Sequence, residues 1–135
     1  MIAAEPLIEG SAEGPVLRFT DPISFWGGID PASGRVTDPQ HHAHGDSIAG
    51  TVLALAATRG SSSSSAVMLE LMRGGNAPAA LILAEVDAIL ALGVVVAQEM
   101  GYGSIPVLRL PAEEHGKLAT GRAVTIAADG AIGFG

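Results

Sequence analysis

Three short apolar runs alternate with two helix-like segments between residues 51 and 110, and this alternation is the strongest constraint on the fold. The runs are TVLALA at residues 51–56, ALILA at 80–84 and IPVLRL at 105–110. Runs of this length, bounded by glycine, serine or proline, are typical of buried strands. Their alternation with helices predicts parallel strands joined by right-handed crossovers.

The segment after the first run predicts a helix over residues 66–73. Its apolar side chains recur on one helical face, at Val67, Met68, Leu71 and Met72. The glycine pair at residues 74 and 75 is a common way for a helix to end.

A second helix is predicted from Asp87 towards Met100, because aspartate is a favoured residue at a helix start and Gly101 can end the helix. The segment includes Gly93 and is apolar nearly all round. A strand near residues 94–96 is therefore an open alternative.

Strand-like segments lie on both sides of this alternating region. Leu7-Ile8 and residues 16–19 come before it, and residues 123–127 and 131–134 follow it as a hairpin around Asp129-Gly130. The prediction is an α/β fold in which these flanking strands form a second layer or close a partial barrel beside the parallel core.

Length and charge narrow the classes of function. The 135 residues suit a single domain over residues 1–135. The formal charge is −7 and the seven basic residues are scattered singly, without the basic stripe that nucleic-acid binding needs. No apolar run approaches the ~18 residues of a membrane span, and the N-terminus lacks the basic region of a signal peptide. We expect a soluble cytoplasmic protein with neither a nucleic-acid nor a membrane partner.

Metal ligands are scarce in this sequence. It contains no cysteine, so this chain alone cannot hold an iron–sulfur cluster or a thiolate metal site. His41, His42 and His44 lie in one short loop, which rarely supplies the three or four convergent ligands of a zinc site. We expect no metal site here, but a solvated loop or a surface that contacts another chain. Trp26 is expected in the core or an interface rather than as a stacking platform.

The segment RGSSSSSAVMLEL, residues 59–71, bears most directly on function. Its serines lie between a predicted strand and a predicted helix, where ligands commonly bind in α/β folds. Three interpretations are open: a helix start whose free amides bind an anion, an ordinary helix capped by serine, or a flexible linker. The adjoining Arg59 can pair with a substrate carboxylate, or it can be a surface arginine.

This serine segment, followed by GGNAPAALILAE and ALGVVVAQEMG, resembles the small subunit of the aconitase X family. The segment PISFWGGIDPASGRVTDPQHHAHGDSIAGTVLAL also resembles that family, so that the likeness covers roughly residues 15–110. The resemblance implies a swivelling β/β/α domain. It also implies a large partner subunit that carries an iron–sulfur cluster and most of the substrate pocket.

The resemblance further implies a hydro-lyase that dehydrates a small hydroxy acid. The substrates it implies are cis-3-hydroxy-L-proline and mevalonate 5-phosphate, and the alanine-rich, lysine-poor composition favours the first. Ser61 matches the serine whose alkoxide removes a proton from carbon. Gly60, Ser62, Ser65 and Arg59 are the expected substrate-binding residues. A non-catalytic module that binds a small acid is the alternative of another class.

Overall fold

The computed structural model describes residues 1–59 and 63–135 of the chain. Within these residues, eight strands form one curved, mixed sheet. The strands are β1 (Ile2–Ala3), β2 (Glu5–Ile8), β3 (Ala12–Phe19), β4 (Val52–Leu55), β5 (Ala80–Leu83), β6 (Val107–Arg109), β7 (Ala123–Ile126) and β8 (Ala131–Phe134). Their order across the sheet is β1-β8-β7-β3-β4-β5-β6-β2.

The centre of the sheet is parallel, as the alternating pattern predicts. β3 pairs with β4, β4 with β5 and β5 with β6, all in parallel. Every residue of β4 and β5 is buried. Parallel strands covered on both faces read as continuous apolar runs, which explains TVLALA and ALILA.

The two faces of these strands contribute to two separate apolar clusters. Leu53 and Leu55 of β4 belong to the cluster that includes the helices, whereas Val52 and Ala54 belong to the cluster inside the curved sheet. Because successive strand residues point to opposite faces, one short strand supports both layers.

The sheet curves until its two edges nearly meet. The strands at the two ends of the sheet order, β1 and β2, are separated in sequence by Ala4 alone. The Ala4 amide donates a hydrogen bond of 3.0 Å to the carbonyl oxygen of Gly130. The predicted partial barrel is therefore the observed form of the flanking strands, and the hairpin around Asp129-Gly130 is confirmed as β7 and β8.

The described residues contain the two predicted helices, with shifted boundaries, and two short helical segments that the sequence did not predict. They are α1 (Phe25–Gly28), α2 (Ser64–Arg73), α3 (Ala88–Glu99) and a 3₁₀ helix (Ala112–Lys117). The expected start of α2 at Ala66 is wrong by two residues, since the helix begins inside the serine run. A strand near residues 94–96 is also wrong, because those residues lie within α3. Of the helices in the described parts of the chain, none has the length and apolar character needed to cross a membrane.

Glycine ends both long helices in the manner that the sequence predicts. Gly75 and Gly101 have φ angles of +76° and +81°. After α2, the Asn76 amide donates to the Leu71 carbonyl, and α3 ends with the same pattern of hydrogen bonds. This is the Schellman arrangement, which requires a residue in the left-handed region that glycine adopts without strain.

Candidate functional site

The candidate site lies at the carboxyl ends of β3, β4 and β5. The chain leaving β4 runs beside the chain leaving β3, where Ile23 and Thr58 form a parallel bridge. The Arg59 amide donates a hydrogen bond of 2.9 Å to the Ile23 carbonyl. Ligands of open α/β sheets bind at this edge, and the serine run follows directly from it.

The start of α2 bears on all three interpretations of the serine run. Ser64 is the first residue of α2 and is 3% exposed, and Ser65 lies in its first turn. The linker interpretation is therefore wrong for Ser64 and Ser65. A helix start at this edge is consistent with the anion-binding interpretation, whereas Ser63, the residue before α2, makes no side-chain hydrogen bond that caps the helix.

Three of the predicted site residues, Gly60, Ser61 and Ser62, lie outside the described residues. The other two, Arg59 and Ser65, lie on either side of them. Ser65 is half-buried and lines an apolar groove between α2 and α3, opposite Leu92 and Gly93.

Arg59 is exposed and lies at the rim of an open pocket of about 270 Å³. The pocket is also lined by Asp21, Asp38 and His41. Among the described residues, the ion pairs are Arg73–Glu70 and Lys117–Glu114, so the Arg59 guanidinium is not engaged in one. It is available to a carboxylate, which the planar guanidinium can bind through two parallel hydrogen bonds.

Thr58 is a residue of this edge that the sequence analysis missed. Its Oγ1 donates a hydrogen bond of 2.6 Å to Oδ2 of Asp87, which lies 29 residues further along the chain. The other oxygen of Asp87, Oδ1, accepts from the amide of Leu90 at 3.0 Å and caps α3. The predicted helix start at Asp87 is confirmed, but its second hydrogen bond carries no sequence signal.

The histidine loop forms the opposite rim of the pocket. His41 is 5% exposed and its Nδ1 accepts a hydrogen bond of 3.0 Å from the Ala43 amide. With Nδ1 as an acceptor, the neutral ring carries its proton on Nε2, which lies 3.3 Å from the carbonyl oxygen of Asp21. His42 Nε2 accepts from the Thr20 amide at 3.1 Å.

Asp21, His41 and His42 bring potential ligand atoms within 4.8 Å of one another. The hydrogen bonds to backbone amides, however, use the lone pair of one nitrogen on each ring, and the second His41 nitrogen faces a carbonyl oxygen. A metal would have to displace these bonds. In the structure, the cluster holds residues 20 and 21 in place at the pocket rim.

Trp26 lies on the other side of Arg59. Its side chain is 61% exposed, so Trp26 does not lie in the core of this chain, and the expected interface position stays a prediction. It lines a second shallow pocket, which shares Asp38 and Arg59 with the first. An exposed tryptophan of this kind is typical of a surface that another molecule covers.

Comparison with known proteins gives consistent matches over nearly the whole chain. The family model described as the aconitase X swivel domain matches residues 1–134. A crystal structure of Thermococcus kodakaraensis aconitase X in its holo-form superposes with a TM-score of 0.85 at 33% identity, covering 98% of this chain and 95% of that one.

Two kinds of curated relative are similar in sequence. The cis-3-hydroxy-L-proline dehydratase of Pseudomonas aeruginosa is 43% identical over 90% of this chain, which spans 22% of that protein's length. The phosphomevalonate dehydratase small subunit of Methanothermobacter thermautotrophicus is 40% identical over 78% of this chain and 76% of its own length.

Proposed function

Because this chain belongs to the aconitase X swivel-domain family, we propose that it is the small subunit of a hydro-lyase that dehydrates a small hydroxy acid. The relatives named dehydratases support this function. The observation that carries it is the guanidinium of Arg59, exposed at the carboxyl edge of the parallel strands, in a chain segment that leads into the start of α2. Together they suit a substrate that carries a carboxylate.

We assign Ser61 as the base that removes a proton from the substrate carbon. A serine hydroxyl is a weak base, and its alkoxide needs stabilisation by amides, by a helix start or by a cation. Ser61 is separated from α2 by two residues and from Arg59 by one. In this proposal Arg59, Gly60, Ser62 and Ser65 bind the substrate and orient its proton towards the serine oxygen.

The departing hydroxyl group needs a Lewis acid, and the chain has no cysteine to hold an iron–sulfur cluster. We therefore place the cluster in the large subunit, where its iron would supply a Lewis acid for the leaving hydroxyl. This chain then contributes the base and part of the substrate site, and the complete site forms only in the complex.

We propose cis-3-hydroxy-L-proline as the substrate, in preference to mevalonate 5-phosphate. The pocket beside Arg59 contains two carboxylates, Asp21 and Asp38, and one guanidinium. Carboxylates repel the phosphate of mevalonate 5-phosphate, whereas the ammonium and carboxylate of an amino acid find opposite charges here. The alanine-rich, lysine-poor composition favours the same substrate.

The alternative of another class is a non-catalytic module that binds a small acid. The two proposals differ in what the isolated chain does. A binding module takes up the acid alone in solution, whereas a half-enzyme binds little until the large subunit completes its pocket.

The test uses the chain co-expressed with its large subunit and reconstituted with iron and sulfide under nitrogen. Dehydration of cis-3-hydroxy-L-proline and of mevalonate 5-phosphate is measured for the wild type, Ser61→Ala and Ser104→Ala. Ser104 is exposed and far along the chain, so it serves as the matched control. We expect Ser61→Ala to lower kcat by roughly a thousandfold or more, as removal of a central catalytic group does.

The outcomes separate the parts of this proposal. Activity that survives Ser61→Ala contradicts the assignment of the base and moves it to Ser65 or to the partner. Activity with mevalonate 5-phosphate alone contradicts the proposed substrate. Uptake of the acid by the isolated chain, with no turnover by the complex, favours the binding module.

A further inference from the structure

Helix α3 contacts the chain on both sides of residues 60–62. On the amino-terminal side, Thr58 Oγ1 donates a hydrogen bond of 2.6 Å to Oδ2 of Asp87, the residue immediately before α3. From this geometry we propose that Thr58 and Asp87 are positioning residues, which hold Arg59 in place for the reaction. This inference rests on the proposed function.

Asp87 is itself held in place, which makes it a suitable anchor. Its Oδ1 accepts from the Leu90 amide at 3.0 Å, and its carbonyl oxygen accepts from the Ala91 amide at 3.0 Å. Both carboxylate oxygens are therefore engaged, one by the helix and one by Thr58. A side chain bound at both oxygens has little freedom to change rotamer.

Thr58 and Arg59 are held from two directions. Their main chain pairs with Ile23 at the end of β3, through the bridge at Thr58 and the 2.9 Å hydrogen bond from the Arg59 amide. The Thr58 side chain adds the bond to α3, which comes from the other neighbouring layer. The predicted catalytic segment starts one residue after Arg59.

On the carboxyl-terminal side, α3 supports the start of α2. A Cβ atom on Gly93 would lie 2.6 Å from the Ser65 carbonyl oxygen and 2.8 Å from Met68 Cβ. The two helices thus approach as closely as a glycine allows. The elements around α3 thus contact the chain at Thr58 and again at Ser65.

Position matters because a reacting group that is displaced by about 1 Å can lose roughly a hundredfold in rate. A displaced Arg59 still binds the substrate carboxylate, but it presents the reacting C–H bond to the base in the wrong position. We therefore expect the loss of the Thr58 hydroxyl to lower kcat with little change in KM, provided that the fold survives.

The experiment compares three variants. Thr58→Val removes the hydroxyl with nearly constant volume, and Thr58→Ser restores it. Thr51→Val is the matched control, because Thr51 Oγ1 donates a hydrogen bond of 2.8 Å to the Ile48 carbonyl at the opposite end of β4. Each is measured for kcat and KM in the complex, and for hydrogen exchange of the Arg59 amide in the full chain by NMR.

We expect Thr58→Val to lower kcat about tenfold to a hundredfold and to speed exchange of the Arg59 amide. Thr58→Ser is expected to recover most of the wild-type kcat and most of the protection of the Arg59 amide. Thr51→Val is expected to change neither kcat nor the exchange rate. Unchanged exchange in Thr58→Val overturns the positioning role, whatever the activity. Faster exchange with unchanged kcat also overturns it. A wild-type complex that dehydrates neither substrate instead contradicts the proposed function, and the exchange data then decide whether Thr58 holds Arg59.

Discussion

Gly93 of α3 lies against the main chain of Ser65 in α2, so closely that a Cβ on Gly93 would be 2.6 Å from the Ser65 carbonyl oxygen. In an open helix, alanine in place of glycine gains about 1 kcal/mol. Here the obstacle is backbone, and overpacking of this kind costs about 1–3 kcal/mol. We therefore expect Gly93→Ala to lower the free energy of unfolding by on the order of 1 kcal/mol and to lower kcat by displacing the start of α2.

The control for this prediction is Gly116→Ala in the 3₁₀ helix, where a Cβ would meet nothing within 4 Å. It is expected to leave the free energy of unfolding, measured by urea titration, unchanged or to raise it by up to about 1 kcal/mol. Equal stability of the two variants would mean that α2 and α3 can separate without cost.

Gly130 lies where the two edges of the sheet meet. Its φ angle is +89°, and a Cβ there would collide with the carbonyl oxygen of Ala4. Gly121 has a similar φ of +91° but open space around it. Gly121→Ala therefore measures backbone strain alone, about 1–2 kcal/mol. Gly130→Ala should cost more, because it also separates Ala4 from the hairpin.

Thermal or urea unfolding of the two variants checks this prediction. If both lose the same free energy, the contact between Ala4 and Gly130 contributes nothing to closure of the sheet.

His115 is 1% exposed, and its Nε2 donates to the Leu110 carbonyl at 2.9 Å. Burial lowers the pKa of His115, the hydrogen bond to Leu110 raises it, and the charge of Arg18 lowers it, with a net shift downward. The folded state therefore binds fewer protons than the unfolded state below about pH 6.5. The contribution of neutral His115 to the free energy of unfolding is therefore complete above about pH 6.5. It is lost as the pH falls towards the lower pKa that His115 has in the folded state.

Urea titrations between pH 5 and pH 7.5 measure this dependence. His115→Gln keeps a donor for the Leu110 carbonyl but cannot be protonated, so it should flatten the slope of unfolding free energy against pH. A variant with the wild-type slope would show that other groups cause the dependence.

Arg59 is predicted to bind the substrate carboxylate in the complex. A hydrogen bond to a charged group contributes about 1.5–3 kcal/mol, so Arg59→Gln should raise KM by roughly tenfold to a hundredfold. Arg59→Lys keeps the charge without the planar pair of donors, so its KM should lie between those of the wild type and Arg59→Gln.

Arg73→Gln is the control, since Arg73 forms an exposed pair with Glu70 at 2.7 Å. Such pairs contribute little to stability, and we expect wild-type KM. A wild-type KM for the Arg59→Gln complex would mean that Arg59 does not bind the substrate.

Much of the fold could be predicted from local patterns. The apolar runs, the helical face at Val67 and Leu71, the start of α3 at Asp87 and the Asp129-Gly130 hairpin each depend on a few neighbouring residues. The resemblance to the aconitase X family, seen in the serine segment and in the histidine-containing segment, is confirmed by the family match over residues 1–134.

Other features could not be predicted, because they join residues far apart in sequence. Nothing near Thr58 indicates its bond to Asp87, 29 residues away. The choice between core and interface for Trp26 could not be made from the sequence, because the exposure of a side chain depends on the packing of several elements. The start of α2 was set two residues late because serine is a neutral residue in helices and gives a weak signal.

The sequence by itself determined the parallel core strands, the terminal hairpin, where glycine ends each long helix and which family the chain belongs to. Only the tertiary structure decided that the sheet nearly closes through Ala4, that Asp21, Asp38 and Arg59 share a pocket and that α3 supports both sides of residues 60–62. The physical reason is the range of the interactions. Periodicity and capping act within a few residues, whereas the site is built from strand ends and loops that meet only when the sheet has formed.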